Sequence, residues 1–342
     1  MKIRENVYAK RFVDMSEKMD IKTFAAALGV STATVSRAFG GSGRISSETR
    51  RRILEAAEKM GYYASFHARN LGRKLGGSIA FFYPELYTDD PDYFISEIVL
   101  GINRTLKRER LFHVTPFDED DERLITSARE QILDGRVSGA VIVSGTSGAA
   151  SLVELARKSR LPYVVLGKSA PGDTNTVDFD NGYGAALAGR YFRETGRKYP
   201  AYISGHLDRP KKLGFASGFG IAPEQIFEVN GGAGFKYGCQ AADIICHSRR
   251  NIDCVLCAND IIAIGFIKRA AELGMKIPQD IGVIGFDDIA ISKNYIPALS
   301  TVSLHLRQLG VEAGNMIEAQ FSGARQVHNT QVRCDLIIRE ST

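Results

Sequence analysis

The sequence has few cysteines and no long apolar segment. Its five cysteines are an odd and sparse set within 342 residues, which excludes a disulfide scaffold. The longest uncharged stretch, residues 137–153, is interrupted by glycine and serine, so we do not expect it to span a membrane. Residues 1–19 mix basic and acidic side chains and lack the apolar core of a signal peptide. We therefore expect the protein to work in the reducing cytoplasm.

Motifs of the common enzyme classes are missing as well. The sequence contains no GxSxG turn, no GxxxxGKS/T loop and no HExxH pair, and its six histidines are scattered. Cys254 and Cys257 have CxxC spacing, but their apolar run is typical of a buried strand, whereas a redox pair favours a helix N-terminus. No second CxxC exists to complete a zinc site. We therefore expect no enzyme active site, no metal site and no cofactor.

Positive charge is concentrated at one end of the chain. The length predicts two or three domains, and the composition, 44% hydrophobic and 24% charged, is typical of a globular protein. Residues 1–76 have a net charge of +8, whereas residues 77–342 have a net charge of −3. This division suggests a polyanionic partner for the N-terminal part only.

Residues 20–63 have the pattern of three short helices. Apolar residues at 21, 24, 25 and 28 lie on one face of a first helix, which Gly29 ends. Ser31 is predicted to cap a second helix, and Ser46 or Ser47 a third. The tight turn between the first two helices is typical of a helix–turn–helix; the alternative is a plain helical bundle, which the local positive charge disfavours. Residues 1–19 are expected to form a disordered arm, and residues 64–76 a polar, basic linker.

From residue 78 onward, short apolar runs alternate with helical periods. This rhythm predicts parallel sheets covered by helices, and the number of strands favours two doubly wound lobes over one. We expect the chain to cross between the lobes near Leu166–Gly167 and Leu299–Val302, and a ligand to bind between them at the carboxyl ends of the strands. The predicted strands are Ile79–Tyr83, Phe112–Thr115, Ala140–Val143, Tyr163–Leu166, Ala201–Ser204, Cys254–Cys257 and Gly282–Phe286.

Several separated stretches, in order, carry a family likeness. They are residues 29–37 (GVSTATVSR), 44–50, 61–62, 68–71, 177–184, 214–215, 258–265, 277–288 and 338–342. In these stretches the sequence resembles the lactose-repressor/galactose-repressor (LacI/GalR) family of bacterial transcription regulators. The resemblance covers about residues 20–342. It implies an α/β protein with an N-terminal all-α helix–turn–helix head at 20–63, a hinge at 64–76, and two doubly wound lobes of the periplasmic-binding-protein type at 77–342.

The resemblance also implies which residues meet DNA. Leu71 matches a leucine that wedges into the minor groove at the operator centre, and Ala68 belongs to the same hinge helix. A threonine–alanine pair offers few strong donors, so we expect Arg37 and the hinge to carry much of the base discrimination. Residues implied to read base edges are Thr32, Ala33 and Arg37, and those implied to touch the DNA backbone or groove edge are Ser31, Thr34, Ser36 and Arg44.

A second set of residues is implied to line an effector site: Tyr93, Phe94, Lys211, Asn259 and Asp287. Asp287 matches a carboxylate that accepts hydrogen bonds from ligand hydroxyls, and Asn259 matches a polar residue beside that carboxylate. The alternative is that these residues only form a turn or cap a helix. Lys211 stands where the family usually has arginine. Lysine carries a point charge in place of the planar, forked guanidinium group of arginine. The expected effector is a sugar, with a phosphorylated or acidic sugar as the second option because Lys211 and Lys212 add positive charge.

The leading functional hypothesis is a ligand-responsive repressor that binds a palindromic operator as a dimer. No leucine heptads follow the last lobe, which favours a dimer over a zippered tetramer. The alternative is a sugar-binding or enzymatic protein of similar lobes that does not bind DNA. A redox protein that uses Cys254 and Cys257 is a third, weaker hypothesis.

Overall fold

The computed structural model describes residues 21–40, 45–60, 77–85, 93–108, 110–118, 120–167, 174–205, 209–230, 232, 234–248, 250–324 and 326–342. The chain divides into two compact units, Met1–Gly76 and Gly77–Thr342. The predicted N-terminal arm and hinge lie outside the described residues, as do Arg44, Ala68 and Leu71. Within the described ranges, no helix has the length and apolarity needed to cross a membrane.

The described part of the first unit contains three helices, α1 (Ile21–Ala27), α2 (Thr32–Gly40) and α3 (Ser47–Met60). Gly29, at a φ of 63°, provides the turn between α1 and α2 in the left-handed region that glycine adopts without steric cost. Arg50 of α3 donates from Nε to the carbonyl oxygen of Ala38 at 3.1 Å, which ties the end of α2 to α3. The buried core of this unit consists of Phe24, Ala25, Val35, Ala38, Ile53 and Ala57.

The second unit contains two lobes, each built on a six-stranded sheet. The sheet of lobe 1 has the order β11-β5-β4-β3-β1-β2 and is parallel throughout. Its strands are β1 (Ile79–Pro84), β2 (Phe112–Phe117), β3 (Gly139–Val143), β4 (Tyr163–Leu166), β5 (Thr176–Phe179) and β11 (Asn329–Val332), and its helices are α4 (Tyr93–Asn103), α5 (Glu122–Leu133), α6 (Ser147–Lys158) and α11 (Leu306–Phe321).

The sheet of lobe 2 has the order β12-β10-β9-β8-β6-β7, and only β12 runs antiparallel to its neighbour. Two doubly wound lobes and a helical N-terminal unit confirm the predicted fold class. The strands of lobe 2 are β6 (Pro200–Ile203), β7 (Phe227–Val229), β8 (Cys254–Cys257), β9 (Gly282–Asp287), β10 (Ser300–Ser303) and β12 (Asp335–Ile337), and its helices are α7 (Asn181–Glu194), α8 (Arg209–Phe219), α9 (Gly234–Cys246) and α10 (Asp260–Glu272).

The chain crosses between the lobes at Asp180, at Leu304–His305 and at Arg333–Cys334. The predicted crossing near Leu166–Gly167 is wrong, because β5 extends the sheet of lobe 1 before the chain leaves it. The one predicted near Leu299–Val302 lies two residues before the observed crossing, because β10 occupies Ser300–Ser303. Each crossing follows the carboxyl end of a strand, namely β5, β10 or β11. The carboxyl edges of the two sheets therefore meet at the crossings, and the cleft between the lobes lies there.

Helices α7 and α8 of lobe 2 pack backbone against backbone. A Cβ atom added at Gly218 would lie 2.0 Å from the carbonyl oxygen of Ala186, and one added at Gly214 would lie 2.0 Å from that of Gly182. In the reverse direction, a Cβ at Gly189 would lie 2.3 Å from the carbonyl oxygen of Phe215. The close approach of these helices, which fixes the start of α8 at the cleft, depends on glycine at these positions.

Candidate functional site

The start of α2 is fixed by a serine cap. The backbone N–H of Thr34 donates to Oγ of Ser31 at 3.1 Å, and the two side-chain hydroxyls lie 2.8 Å apart. This arrangement satisfies one of the backbone donors that a helix N-terminus leaves open. Ser46 caps α3 in the same way, accepting from the N–H of Thr49 at 3.1 Å.

One face of α2 is buried and the other is presented to solvent. Val35 and Ala38 are fully buried in the helical core. The residues predicted to contact DNA lie on the remaining surface: Ser31, Thr32, Ala33 and Arg37 are exposed, and Thr34 and Ser36 are half-buried. Because positions 32, 33, 36 and 37 share one side of a helix, their side chains form a continuous polar strip with Arg37 at its end.

The cleft wall in lobe 2 brings three of the predicted residues together. Lys211 of α8 donates from Nζ to the carbonyl oxygen of Ala258 at 2.7 Å, and its Nζ lies 4.3 Å from the centre of the Phe286 ring. Ala258 precedes Asn259, and Phe286 precedes Asp287. The ammonium group of Lys211 therefore lies between the carboxyl ends of β8 and β9, beside both polar residues.

Asn259 and Asp287 have different backbone roles. Asn259 is the N-cap of α10, and its Oδ1 accepts a hydrogen bond from the N–H of Ile262 at 2.8 Å. Asp287 ends β9 at a φ of 108°, and Asp288 follows at 57°. Positive φ is costly for residues other than glycine, although aspartate adopts it more readily than most, and it needs support from the surrounding structure. Both side chains are half-buried at the carboxyl edge.

The predicted aromatic residues lie on the opposite lobe. Tyr93 and Phe94 begin α4, after the carboxyl end of β1, and both are half-buried. The ring of Phe94 packs edge-on against Phe179, with ring centroids 6.3 Å apart and planes at 78°. Phe179 ends β5 immediately before the crossing at Asp180. The predicted effector residues thus divide between an aromatic wall in lobe 1 and a charged wall in lobe 2.

The expected positive charge of Lys212 is largely offset. Its Nζ lies 2.6 Å from Oε2 of Glu228, and both side chains are about one quarter exposed. Arg339 similarly pairs with Asp288, with 2.6 Å between Nη2 and Oδ1, and donates from Nη1 to the carbonyl oxygen of Leu299 at 2.7 Å. Of the two lysines invoked from the sequence, only Lys211 has its ammonium group between β8 and β9.

Sequence reasoning missed a buried carboxylate beneath this wall. Asp260, the first residue of α10, is fully buried. Burial raises its pKa to about 7, although hydrogen bonds from Ser292, Thr301 and the N–H of Ile289 act in the opposite direction. The available sequence signal was three small polar residues in β10, Ser300, Thr301 and Ser303, which the structure buries.

The cysteines do not form a redox centre. All five are free, and Cys254 and Cys257 are buried in β8, as the apolar run predicted. Burial raises the pKa of both thiols well above the usual value, so the reactive thiolate is disfavoured. Among the residues that the structure describes, no group of three or more His, Cys, Asp or Glu side chains has a metal-binding arrangement.

Comparisons with known proteins match both units. The family model described as bacterial regulatory proteins, lacI family, matches residues 20–65, and the model described as a periplasmic binding protein-like domain matches residues 221–342. The HTH-type transcriptional repressor PurR of Erwinia tasmaniensis is 30% identical over 332 residues, which cover 94% of this chain and 96% of that protein.

Solved structures share the fold of this chain, some of them over nearly its full length. The Lac repressor dimer bound to operator and the anti-inducer ONPF has a TM-score of 0.74 at 23% identity, covering 95% of this chain and 99% of that chain. A complex of the transcriptional regulator CelR with cellobiose has a TM-score of 0.70 at 22% identity, covering 94% of this chain and 99% of that chain.

Proposed function

The chain belongs to the lacI family of bacterial regulatory proteins, and on this premise we propose that its α2 strip reads an operator and that its cleft binds a sugar-like effector. The protein is a ligand-responsive, DNA-binding transcription repressor and not an enzyme. The observation that carries the proposal is the pairing of two sites in one chain: a capped, exposed polar helix in a basic segment, and a cleft with one aromatic and one charged wall.

For the DNA site, we assign base reading to Thr32, Ala33 and Arg37. Ser31, Thr34 and Ser36 lie nearer the helix start or its flank, where hydroxyls and backbone N–H groups suit phosphate oxygens. Arg44, Ala68 and Leu71 complete the proposed interface by the family resemblance, Leu71 as a minor-groove wedge. The protein binds its operator as a dimer, so two α2 helices meet half-sites about one DNA turn apart. We place this activity in the cytoplasm.

Replacing Arg37 with alanine is expected to weaken operator binding by about 1–3 kcal/mol, because a bidentate contact to guanine would be lost. Binding to scrambled DNA should change much less. Fluorescence anisotropy on both duplexes, over a series of salt concentrations, measures the two affinities. Lys59→Ala, an exposed cation on α3, is the matched control. An equal loss on both duplexes would show that Arg37 contacts only phosphate.

For the cleft, we infer a polyhydroxylated ligand held by Asp287, with Asn259 and Lys211 beside it and Tyr93 and Phe94 on the facing wall. A carboxylate accepts charge-assisted hydrogen bonds from two hydroxyls, and an aromatic ring covers the apolar face of a sugar. Lys211 makes an acidic sugar the second candidate. A thermal-shift screen with D-glucose, cellobiose and D-glucuronate separates these classes: a neutral sugar should stabilise the protein if Asp287 dominates, and D-glucuronate if Lys211 does. No stabilisation by any of the three would count against the assigned class.

A further inference from the structure

Three hydrogen-bond donors converge on the buried carboxylate of Asp260. Oδ2 accepts from the N–H of Ile289 at 2.9 Å and from Oγ of Ser292 at 2.6 Å, and Oδ1 accepts from Oγ1 of Thr301 at 2.5 Å. Thr301 Oγ1 in turn accepts from the N–H of Asp288 at 3.4 Å. One side chain at the start of α10 thereby ties together the end of β9, the short helix at Ser292–Asn294 and β10.

These contacts hold the two polar residues of the cleft wall. Asn259 directly precedes Asp260 in the chain. Ile289, whose N–H donates a hydrogen bond to Asp260, lies two residues after Asp287. The turn between them, Asp287–Ile289, contains both residues at positive φ, a conformation that needs support from its surroundings. The backbone of Gly285 also lies close, since a Cβ there would be 2.1 Å from Oδ1 of Asp260.

Among the described residues, the hydrogen-bond partners of Asp260 are a backbone N–H and two hydroxyls, and none is a cation. A hydroxyl can accept as well as donate, so the hydroxyl of Ser292 or Thr301 can accept a hydrogen bond from the O–H group of a neutral Asp260. The described charged or titratable groups nearest to it on the surrounding elements are the Cys257 thiol of β8, Asp287, Asp288 with its partner Arg339, and Lys211, which bonds to Ala258. The short helix at Ser292–Asn294 adds Lys293, whose side chain is exposed. Arg339 is engaged by Asp288, and Asp288 disfavours ionisation of Asp260.

We propose that Asp260 is a positioning residue. In its neutral form Asp260 holds the Asp287–Ile289 turn closed, and when Asp260 ionises the turn is released. Any state in which the turn opens and water reaches this carboxyl group restores an ordinary aspartate, which ionises more readily. Raising the pH therefore favours the open turn, and the closed turn is most stable in acid. The proposal rests on the proposed function for its consequence, which is weaker effector binding by Asp287 as the pH rises through neutrality.

Hydrogen exchange of the ligand-free, full-length protein tests whether Asp260 holds the Asp287–Ile289 turn in a pH-dependent way. With a pKa of about 7 in the closed turn, protection of residues 287–293 is expected to fall roughly tenfold from pH 6 to pH 8, after correction for intrinsic exchange rates. Asp260→Asn should remove this pH dependence. Asp280→Asn, the same change at an exposed carboxylate in lobe 2, should retain it. A pH-independent wild-type profile, or an unchanged profile in Asp260→Asn, would overturn the proposal.

Ser292→Ala provides a second variant should Asp260→Asn fold poorly. It removes a hydrogen bond that lowers the pKa of Asp260, so the midpoint of the exchange profile should move to higher pH; an unmoved midpoint contradicts the assignment. Binding of D-glucose, cellobiose and D-glucuronate at pH 6 and pH 8 tests the consequence. A probe that binds should bind up to tenfold more weakly at pH 8 in the wild type and equally in Asp260→Asn. Failure of all three probes would count against the proposed effector class, while the exchange profile still decides the role of Asp260.

Discussion

Asp287→Asn is expected to weaken effector binding by about 100-fold or more, while operator binding without effector stays within about twofold of the wild type. A hydrogen bond to a charged group contributes about 1.5–3 kcal/mol, and Asp287 is proposed to accept two such bonds from ligand hydroxyls. Replacing Asp287 with asparagine is a more specific test than replacing it with alanine, because asparagine tolerates the positive φ of this position and changes mainly the charge.

Isothermal titration of the probe that stabilises the wild-type protein measures this loss. Asp335→Asn is a suitable control, since Asp335 is an exposed carboxylate of lobe 2 that pairs with His305 at 2.8 Å. A sugar that binds the wild type and Asp287→Asn with equal affinity would show that Asp287 is outside the effector site.

Gly218→Ala is expected to destabilise the two-lobed unit by about 3 kcal/mol. The added methyl group would meet the backbone of Ala186, whose carbonyl oxygen is 2.0 Å away, and backbone cannot rotate aside as a side chain can. Helices α7 and α8 would have to separate and lose packing along their length. For a unit of this size the melting temperature should fall by roughly 6–12 °C.

Gly182→Ala, in the same helix pair, is the matched control for Gly218→Ala. The nearest atoms to a Cβ at Gly182 are 3.4 Å away, which is ordinary contact, so the change should be neutral or slightly stabilising because alanine favours helix. Differential scanning calorimetry of both variants provides the comparison. Equal melting temperatures for the two would contradict the backbone contact between α7 and α8.

The strands with continuous apolar runs were predictable from sequence. Ile79–Tyr83, Cys254–Cys257 and Gly282–Phe286 each lie within one residue of the observed strand, because burial on both faces of a parallel sheet demands apolar residues at every position. Strand β10 escaped prediction because its sequence, Ser-Thr-Val-Ser, is mostly polar. Its hydroxyls are buried yet bonded, as Thr301 is to Asp260, and only the fold reveals such partners.

The site was predictable where residue type alone determines a role. The cap by Ser31 and the exposure of Arg37 follow from local patterns. Lys211, which meets the ends of β8 and β9, was identified only through the family resemblance. The pairing of Lys212 with Glu228 and the convergence of Ser292 and Thr301 on Asp260 join residues 16 to 41 positions apart. Nothing local in the sequence marks such contacts, because they depend on how β7, β9 and β10 align.

Operator affinity with and without a bound sugar is the most direct measurement of the central claim, that the cleft controls the head. Fluorescence anisotropy of the full-length protein on operator DNA, at fixed salt and saturating probe sugar, gives the two affinities. They should differ about 5–150-fold in the wild type, which is the usual range of coupling between two sites, and should not differ in Asp287→Asn. A sugar that binds the cleft and leaves operator affinity unchanged would contradict the account.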